Sequence, residues 1–287
     1  MHDSLLAAER MVSRVAPKHG FTVTCYRFTG DPDAQVLTVQ KVDGREVKAT
    51  STALVEYSGR FQQSMGEPVL REHCGRVNAM TLKNFDVVFF LTSSPWFPNQ
   101  GTHPLTPSEL DDLLSWVRQG GGFAAAHGGS DTLHNTAYSE LVGATFGGHP
   151  WVQKVRVHID DPNHPAANVL DEGWEVFDEI YQFGDKAGAP DFVPLRIQPY
   201  SRQRLHIILS VDNSSIDMQK GMRPDSDYPI AWCQEFGRGR SFYTSLGHHK
   251  AVWDDERFQH HLMGGLKWAA GLAPGDAAPS GPRQGTK

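Results

Sequence analysis

Cysteine is scarce in this chain. Cys25, Cys74 and Cys233 lie far apart and form no CxxC pair, which leaves no basis for a disulfide framework or a thiolate zinc site. Long hydrophobic runs are missing as well: stretches such as Val87 to Leu91 and Phe123 to Ala126 fall far short of the roughly 20 residues a membrane helix needs. The first residues also lack the charged-then-apolar pattern of a signal segment. There is no excess of positive charge. The net charge is -6, with acids and bases interleaved along the sequence, so neither nucleic acid nor a membrane is expected as a partner and the cytoplasm is the expected location. No internal repeat is visible.

What is present is enough hydrophobic side chain, 39% of 287 residues, for one large α/β domain. That single domain is expected over residues 1–272. The Pro-, Gly- and Ala-rich residues 273–287 offer little to bury and are expected to form a disordered tail.

The order of elements is legible in places. Leu5, Ala8, Val12 and Val15 recur at helical spacing, and Pro17 and Gly20 stop that helix. Alternation over Phe21 to Phe28 predicts a strand. Between Gly30 and Met80 the pattern is weak, with strand signal near Val36 to Val42 and helix signal in the sixties. Asp86 to Leu91 is a short continuous apolar run, as in a strand covered on both faces of a parallel sheet. Thr106, Pro107 and Glu109 form a capping box for a helix whose buried stripe is Leu110, Leu113, Leu114 and Val117. A small-residue strand, Phe123 to Ala126, runs into a tight turn at His127 and then a helix reaching Leu141. The second half is richer in strands, at Trp151 to Ile159, Glu175 to Phe177, Leu205 to Val211, Ile230 to Gln234 and Ser241 to Ser245. A closing helix is capped by Asp254 and lined by Phe258, Leu262, Leu266 and Ala269.

Chemistry concentrates where strands end. His127 occupies the tip of a strand-to-helix turn, the address at which nucleophile elbows hold Ser or Cys. Imidazole there suits acid, base or metal-ligand duty rather than a lasting covalent intermediate. Ser130 and Asp131 read first as caps of the next helix and second as substrate contacts. Glu179 is a candidate acid or base and Tyr181 a hydrogen-bond donor; the adjacent Asp178 must point to the opposite face of the strand. His149 follows two glycines at a bend, and of the pair His248-His249 only His248 is expected in the cleft. The catalytic candidates are thus His127, Glu179 and His248, and the substrate-binding candidates are Trp96, Ser130, Asp131, His149 and Tyr181. Trp96 sits in a turn-rich loop and could stack on a sugar. His127, His149 and His248 with a carboxylate would also suit a divalent metal of the zinc type, although the spacing contains no HExxH-like local motif. No cofactor is otherwise required.

These fragments, taken in order, resemble a known family. Met1-His-Asp-Ser4, Gly120-Gly-Gly-Phe-Ala-Ala-Ala-His-Gly-Gly-Ser-Asp131, Phe146-Gly-Gly-His-Pro150, His164-Pro165, Asp178-Glu-Ile-Tyr181, Asp227-Tyr-Pro-Ile-Ala-Trp232, Gly237-Arg-Gly-Arg240 and Tyr243-Thr-Ser-Leu-Gly-His248 resemble ThuA-like, trehalose-utilisation domains from the first residues to about Gly271. The resemblance implies a three-layer, flavodoxin-like α/β fold of the class I glutamine amidotransferase-like kind. Its sheet would be mostly parallel, with strands added in the second half. The His127 turn would stand where those amidotransferases carry their catalytic Cys. Members of the family usually begin with a strand leading into the His-Asp-Ser element, so that first strand is expected to be absent here. Residues 30–80 also form a longer stretch than the pattern implies.

The resemblance further implies sugar metabolism alongside dehydrogenases that make keto sugars. The leading expectation is therefore an enzyme acting on a sugar or keto-glycoside by isomerisation, elimination or hydrolysis, using His and Glu acid-base chemistry. Two alternatives share the same residues: a non-catalytic carbohydrate-binding or regulatory domain, and a metal-dependent hydrolase. The expected partner is a small sugar or glycoside; the sequence is compatible with a homo-oligomer and does not select one.

Overall fold

The computed structural model describes residues 4–42, 45–91, 105–133, 135–183 and 200–282. In chain order its elements are α1 (Leu5–Val15), β1 (Gln35–Val42), β2 (Arg45–Thr52), α2 (Ala53–Met65), α3 (Ala79–Leu82), β3 (Val87–Phe90), α4 (Pro107–Arg118), β4 (Gly122–Ala126), α5 (Thr136–Val142), β5 (Phe146–Ile159), β6 (Glu175–Phe183), β7 (His206–Val211), β8 (Pro229–Phe236), β9 (Gly239–Thr244) and α6 (Glu256–Ala269).

Among the described residues the main sheet has seven strands in the order β3-β4-β9-β8-β7-β5-β6. The α/β class and flanking helices are as expected. The parallel part comprises β3, β4 and β9, and the strands added in the second half pair antiparallel. Layering follows from the two-residue period of a strand. In β4, Ala124 and Ala126 face a core shared with α1 and α6, while Phe123 and Ala125 face one shared with α4 and α5. The α4 stripe is buried at all four expected positions, each side chain contributing about 2 kcal/mol. Thr106 Oγ1 accepts from the Glu109 amide, and the Glu109 carboxylate accepts from the Thr106 amide, so the capping box forms as read. A smaller cluster joins Leu6, Phe28, Val36, Ala53 and Phe61 and holds the β1-β2 hairpin and α2 in the region of weak sequence signal.

Several expectations need correction. Phe21 to Phe28 is extended but forms no ladder, only an isolated bridge between Phe28 and Cys74. β3 ends the described sheet on its side, and among the described residues the segment forms no ladder with that open edge. The helix expected to continue from the His127 turn is a separate element, α5, capped by Asn135, whose Oδ1 accepts from Ala137 and Tyr138. The closing helix is capped by Asp255 rather than Asp254.

The tail expected to be disordered from residue 273 is tied down as far as 282. The Gly281 amide donates to Arg202 O, the Ser280 amide to Leu205 O, the Ile207 amide to Ser280 Oγ and the His206 ring N–H to Ala278 O. Composition weighs side-chain burial; hydrogen bonds from backbone and side-chain groups alike, at the approach of β7, hold this segment instead. Among the described residues, no helix is long and apolar enough to cross a membrane.

Candidate functional site

β4 ends at Ala126, and His127 follows with φ 46°, in the left-handed region a residue with a Cβ rarely adopts. This is the strained geometry of an elbow, at about 1–3 kcal/mol. The turn is held from below. Tyr243 donates its hydroxyl to His127 O at 2.7 Å and lies 2.9 Å from Ser130 Oγ, and Ser130 is buried. The structure thus places Ser130 behind the elbow as a support; Asp131 stands half-buried at the turn's end.

The His127 ring is fully enclosed, 1% exposed. Its Nδ1 lies 2.8 Å from Ser245 O, and a carbonyl can only accept, so Nδ1 carries the proton. In the neutral ring Nε2 is then the acceptor, and it lies 2.8 Å from the Tyr181 hydroxyl.

The β5-β6 hairpin brings the remaining groups to this point. Glu179 and Tyr181 project from the same face of β6, two residues apart. Glu179 lies mid-strand rather than at a strand end, with Oε2 3.4 Å from His127 Nε2 and 3.3 Å from His248 Nδ1. His248 Nδ1 is in turn 3.2 Å from His127 Nε2. His149 reaches in from β5, its Nδ1 3.3 Å from Glu179 Oε1. The pairing of β5 with β6 is irregular between Phe146 and Trp151, and Gly148 at φ 133° allows the bulge that turns His149 toward the carboxylate. The Phe146 ring packs on Tyr181 with centroids 4.3 Å apart.

Burial pushes the Glu179 carboxyl up, but the surrounding imidazoles of His127, His149 and His248 outweigh that and hold it below the ordinary carboxylate range. Burial keeps the Tyr181 phenol protonated far above its usual pKa, and the nearby Tyr243 and carboxylates add to the effect. The arrangement therefore offers an ionised base, a phenolic donor and three imidazoles within one hydrogen-bond network. The donor atoms of His127, Glu179 and His248 all lie within 4.8 Å of one another, so these three could also hold a cation.

The structure thus gathers five candidates, His127, Glu179, His248, Tyr181 and His149. Trp96 lies outside the described residues. One positioning residue was missed. Asp178, buried on the other face of β6, accepts from the amides of Gly247 at 2.7 Å and His249 at 2.8 Å, clamping the loop that presents His248. Burial raises its carboxyl despite the nearby His127 and those amides. The alternation Asp178-Glu179 was the available signal, read then only for Glu179.

A hollow of about 1090 Å³ lies at the far end of β5 and is lined by Asp160, Asp161, Arg202 and His206 among others. Arg202 bonds Asp160 and Asp227 and His206 bonds Asp161. None of the predicted residues lines it, and its charges are largely spent on one another.

Comparison with known proteins agrees with this architecture. The family profile described as ThuA, trehalose utilisation, matches residues 35–269. A ThuA-like protein from Bacteroides uniformis superposes with a TM-score of 0.51 at 20% identity, covering 75% of this chain and 84% of that one. Another from Parabacteroides merdae gives 0.47 at 16% identity over 66% and 71%. A Salmonella typhimurium protein described as cytoplasmic gives 0.46 at 12% over 83% and 96%. The first of these supports the fold alone. No curated protein sequence matches the chain.

Proposed function

This chain belongs to the ThuA, trehalose-utilisation family, and we propose that the His127 cluster is the reactive centre of a carbohydrate-metabolism enzyme acting on a sugar or keto-glycoside. One observation carries the reading: Glu179, His127, His248 and Tyr181 converge at hydrogen-bond distance on one another, an ionised base beside protonated donors. That is what proton abstraction next to a carbonyl requires.

In this reading Glu179 takes the proton from the carbon beside the carbonyl. The C–H electron pair moves into the new C=C bond and the carbonyl π pair onto oxygen. Tyr181 and His248 donate hydrogen bonds to that oxyanion, and His127 carries protons between Tyr181 and Glu179. Where the deprotonated carbon carries a hydroxyl, that hydroxyl gives up its proton, the former carbonyl oxygen takes one through Tyr181 and His127, and return of the carbon-bound proton from Glu179 to the former carbonyl carbon gives the isomeric ketone. Where a glycosidic oxygen sits one carbon beyond the deprotonated carbon, the enolate pair expels it instead, and protonation of that oxygen completes an elimination; addition of water to the product gives net hydrolysis. A buried His at the elbow, in place of Ser or Cys, favours this proton chemistry over acyl transfer. The substrate in this reading is a small, uncharged sugar or glycoside.

Turnover of a panel of keto-glycosides and their parent disaccharides, followed by mass spectrometry, tests the reading in wild type, His127→Ala and Glu179→Gln. Conversion by wild type, reduced by at least about a hundredfold in both variants, supports it. Sugar binding without turnover, unchanged by His127→Ala, would replace it with a binding domain.

A further inference from the structure

Three donor atoms of the cluster form a nearly equilateral triangle. His127 Nε2 to His248 Nδ1 is 3.2 Å, His248 Nδ1 to Glu179 Oε2 is 3.3 Å and Glu179 Oε2 to His127 Nε2 is 3.4 Å. Zinc-type bonds to nitrogen and oxygen are about 2.0–2.1 Å, and the edge of a tetrahedron with that radius is about 3.3 Å. An octahedron of the same radius would set neighbouring ligands about 3.0 Å apart, so the tetrahedral face fits better.

We propose that His127 Nε2, His248 Nδ1 and Glu179 Oε2 bind one divalent first-row cation of the zinc class, leaving its fourth position open to the cleft. The proposal rests on the reading of this cluster as the reactive centre, and assigns how that centre is loaded.

Four further features fit. Two imidazoles and one carboxylate are a donor set for such a cation, and three protein ligands with an open position mark catalytic rather than structural sites. The Ser245 carbonyl fixes the His127 tautomer so that the Nε2 lone pair faces the triangle, the outer-shell contact that ligating histidines usually have. Asp178 holds the backbone on either side of His248, and so places the second imidazole. Glu179 Oε2 faces both imidazole nitrogens at once. Glu179 Oε1, 3.3 Å from His149 Nδ1, lies outside the triangle and keeps the proton-accepting role it has in the reading above.

The test uses the full chain, stripped with a chelator and dialysed, then titrated with Zn²⁺ by calorimetry and with Co²⁺ by visible absorption. One Zn²⁺ per chain and the intense visible bands of four-coordinate Co²⁺ are expected. Affinity should fall at least about tenfold in His248→Ala and in the near-isosteric Glu179→Gln, and hold in His158→Ala, a surface histidine far from the triangle. Circular dichroism of each variant checks the fold. Binding well below one per chain, or equal binding by the Glu179 and His248 variants, overturns the proposal. Its failure is separable from that of the enzymatic reading: stoichiometric Zn²⁺ without sugar turnover leaves the metal site standing and removes the reading, whereas turnover by metal-free, chelated protein does the reverse.

Discussion

The hydroxyl of Tyr181 donates to Nε2 of His127 across 2.8 Å, because the other ring nitrogen of that histidine is committed to the Ser245 carbonyl. One backbone carbonyl thus sets the direction of the proton chain through the cluster. Tyr181→Phe removes the donor to a buried ring nitrogen. Turnover on an active keto-glycoside should fall by roughly 10²–10³, as for loss of one oxyanion donor, and denaturant unfolding should show a loss of about 1–3 kcal/mol. Wild-type turnover in this variant would remove Tyr181 from the mechanism.

Asp178 acts through His248 rather than on substrate. Asp178→Ala leaves the buried Gly247 amide and the part-buried His249 amide without their acceptor, at about 3 kcal/mol in all. Asp178→Asn keeps one acceptor oxygen and should lie between. If the clamp positions His248, kcat falls in step with the number of acceptors lost, in variants that circular dichroism shows to be folded. Unchanged kcat in folded Asp178→Ala would make the clamp purely structural.

Two buried histidines set an acid limit on the fold. Burial lowers His164 to about 3, with the neighbouring His206 adding to the effect, and burial lowers His261 to about 4. Both lie below the unfolded value near 6.5, so below that pH the unfolded chain takes up protons that the folded chain refuses. Their contribution is therefore fully present above pH 6.5 and is lost as the pH falls toward 4 and 3, by roughly 2 kcal/mol each at pH 5. Denaturant midpoints should drop between pH 7 and 5, and the drop should shrink in His164→Asn, where the amide oxygen can still accept from Ala166 as the ring does. An equal drop in that variant would contradict the assignment.

The packing of α6 on the residues after β5 depends on Gly264. A Cβ there would run into the Pro165 carbonyl, which is backbone and cannot rotate away. Gly264→Ala should cost about 3 kcal/mol and lower the thermal midpoint accordingly, with the site chemistry unchanged in the folded fraction.

What the sequence disclosed, and what it did not, divides along physical lines. Local chemistry was legible: the Thr106 cap, the α4 stripe, the His127 elbow and the choice of Glu179 over Asp178 all rest on spacing within a few residues. Features needing a distant partner were not. The Phe21 to Phe28 segment alternates like a strand, yet pairing depends on a neighbour its own residues do not specify. The residues after 272 are held by hydrogen bonds to groups far away in sequence, such as the Arg202 and Leu205 carbonyls and the His206 ring. His149 reaches Glu179 only because a bulge breaks the alternation of β5, and Ser130 reads as a cap until Tyr243 is seen beneath it.

The central claim, that this cluster removes a proton from carbon beside a sugar carbonyl, is tested most directly by isotope exchange. Keto-glycoside incubated with the protein in D₂O should gain deuterium at that carbon, read by mass spectrometry, with wild type but not with Glu179→Gln. Absence of exchange with wild type on every keto-glycoside tried, or equal exchange with Glu179→Gln, would contradict it.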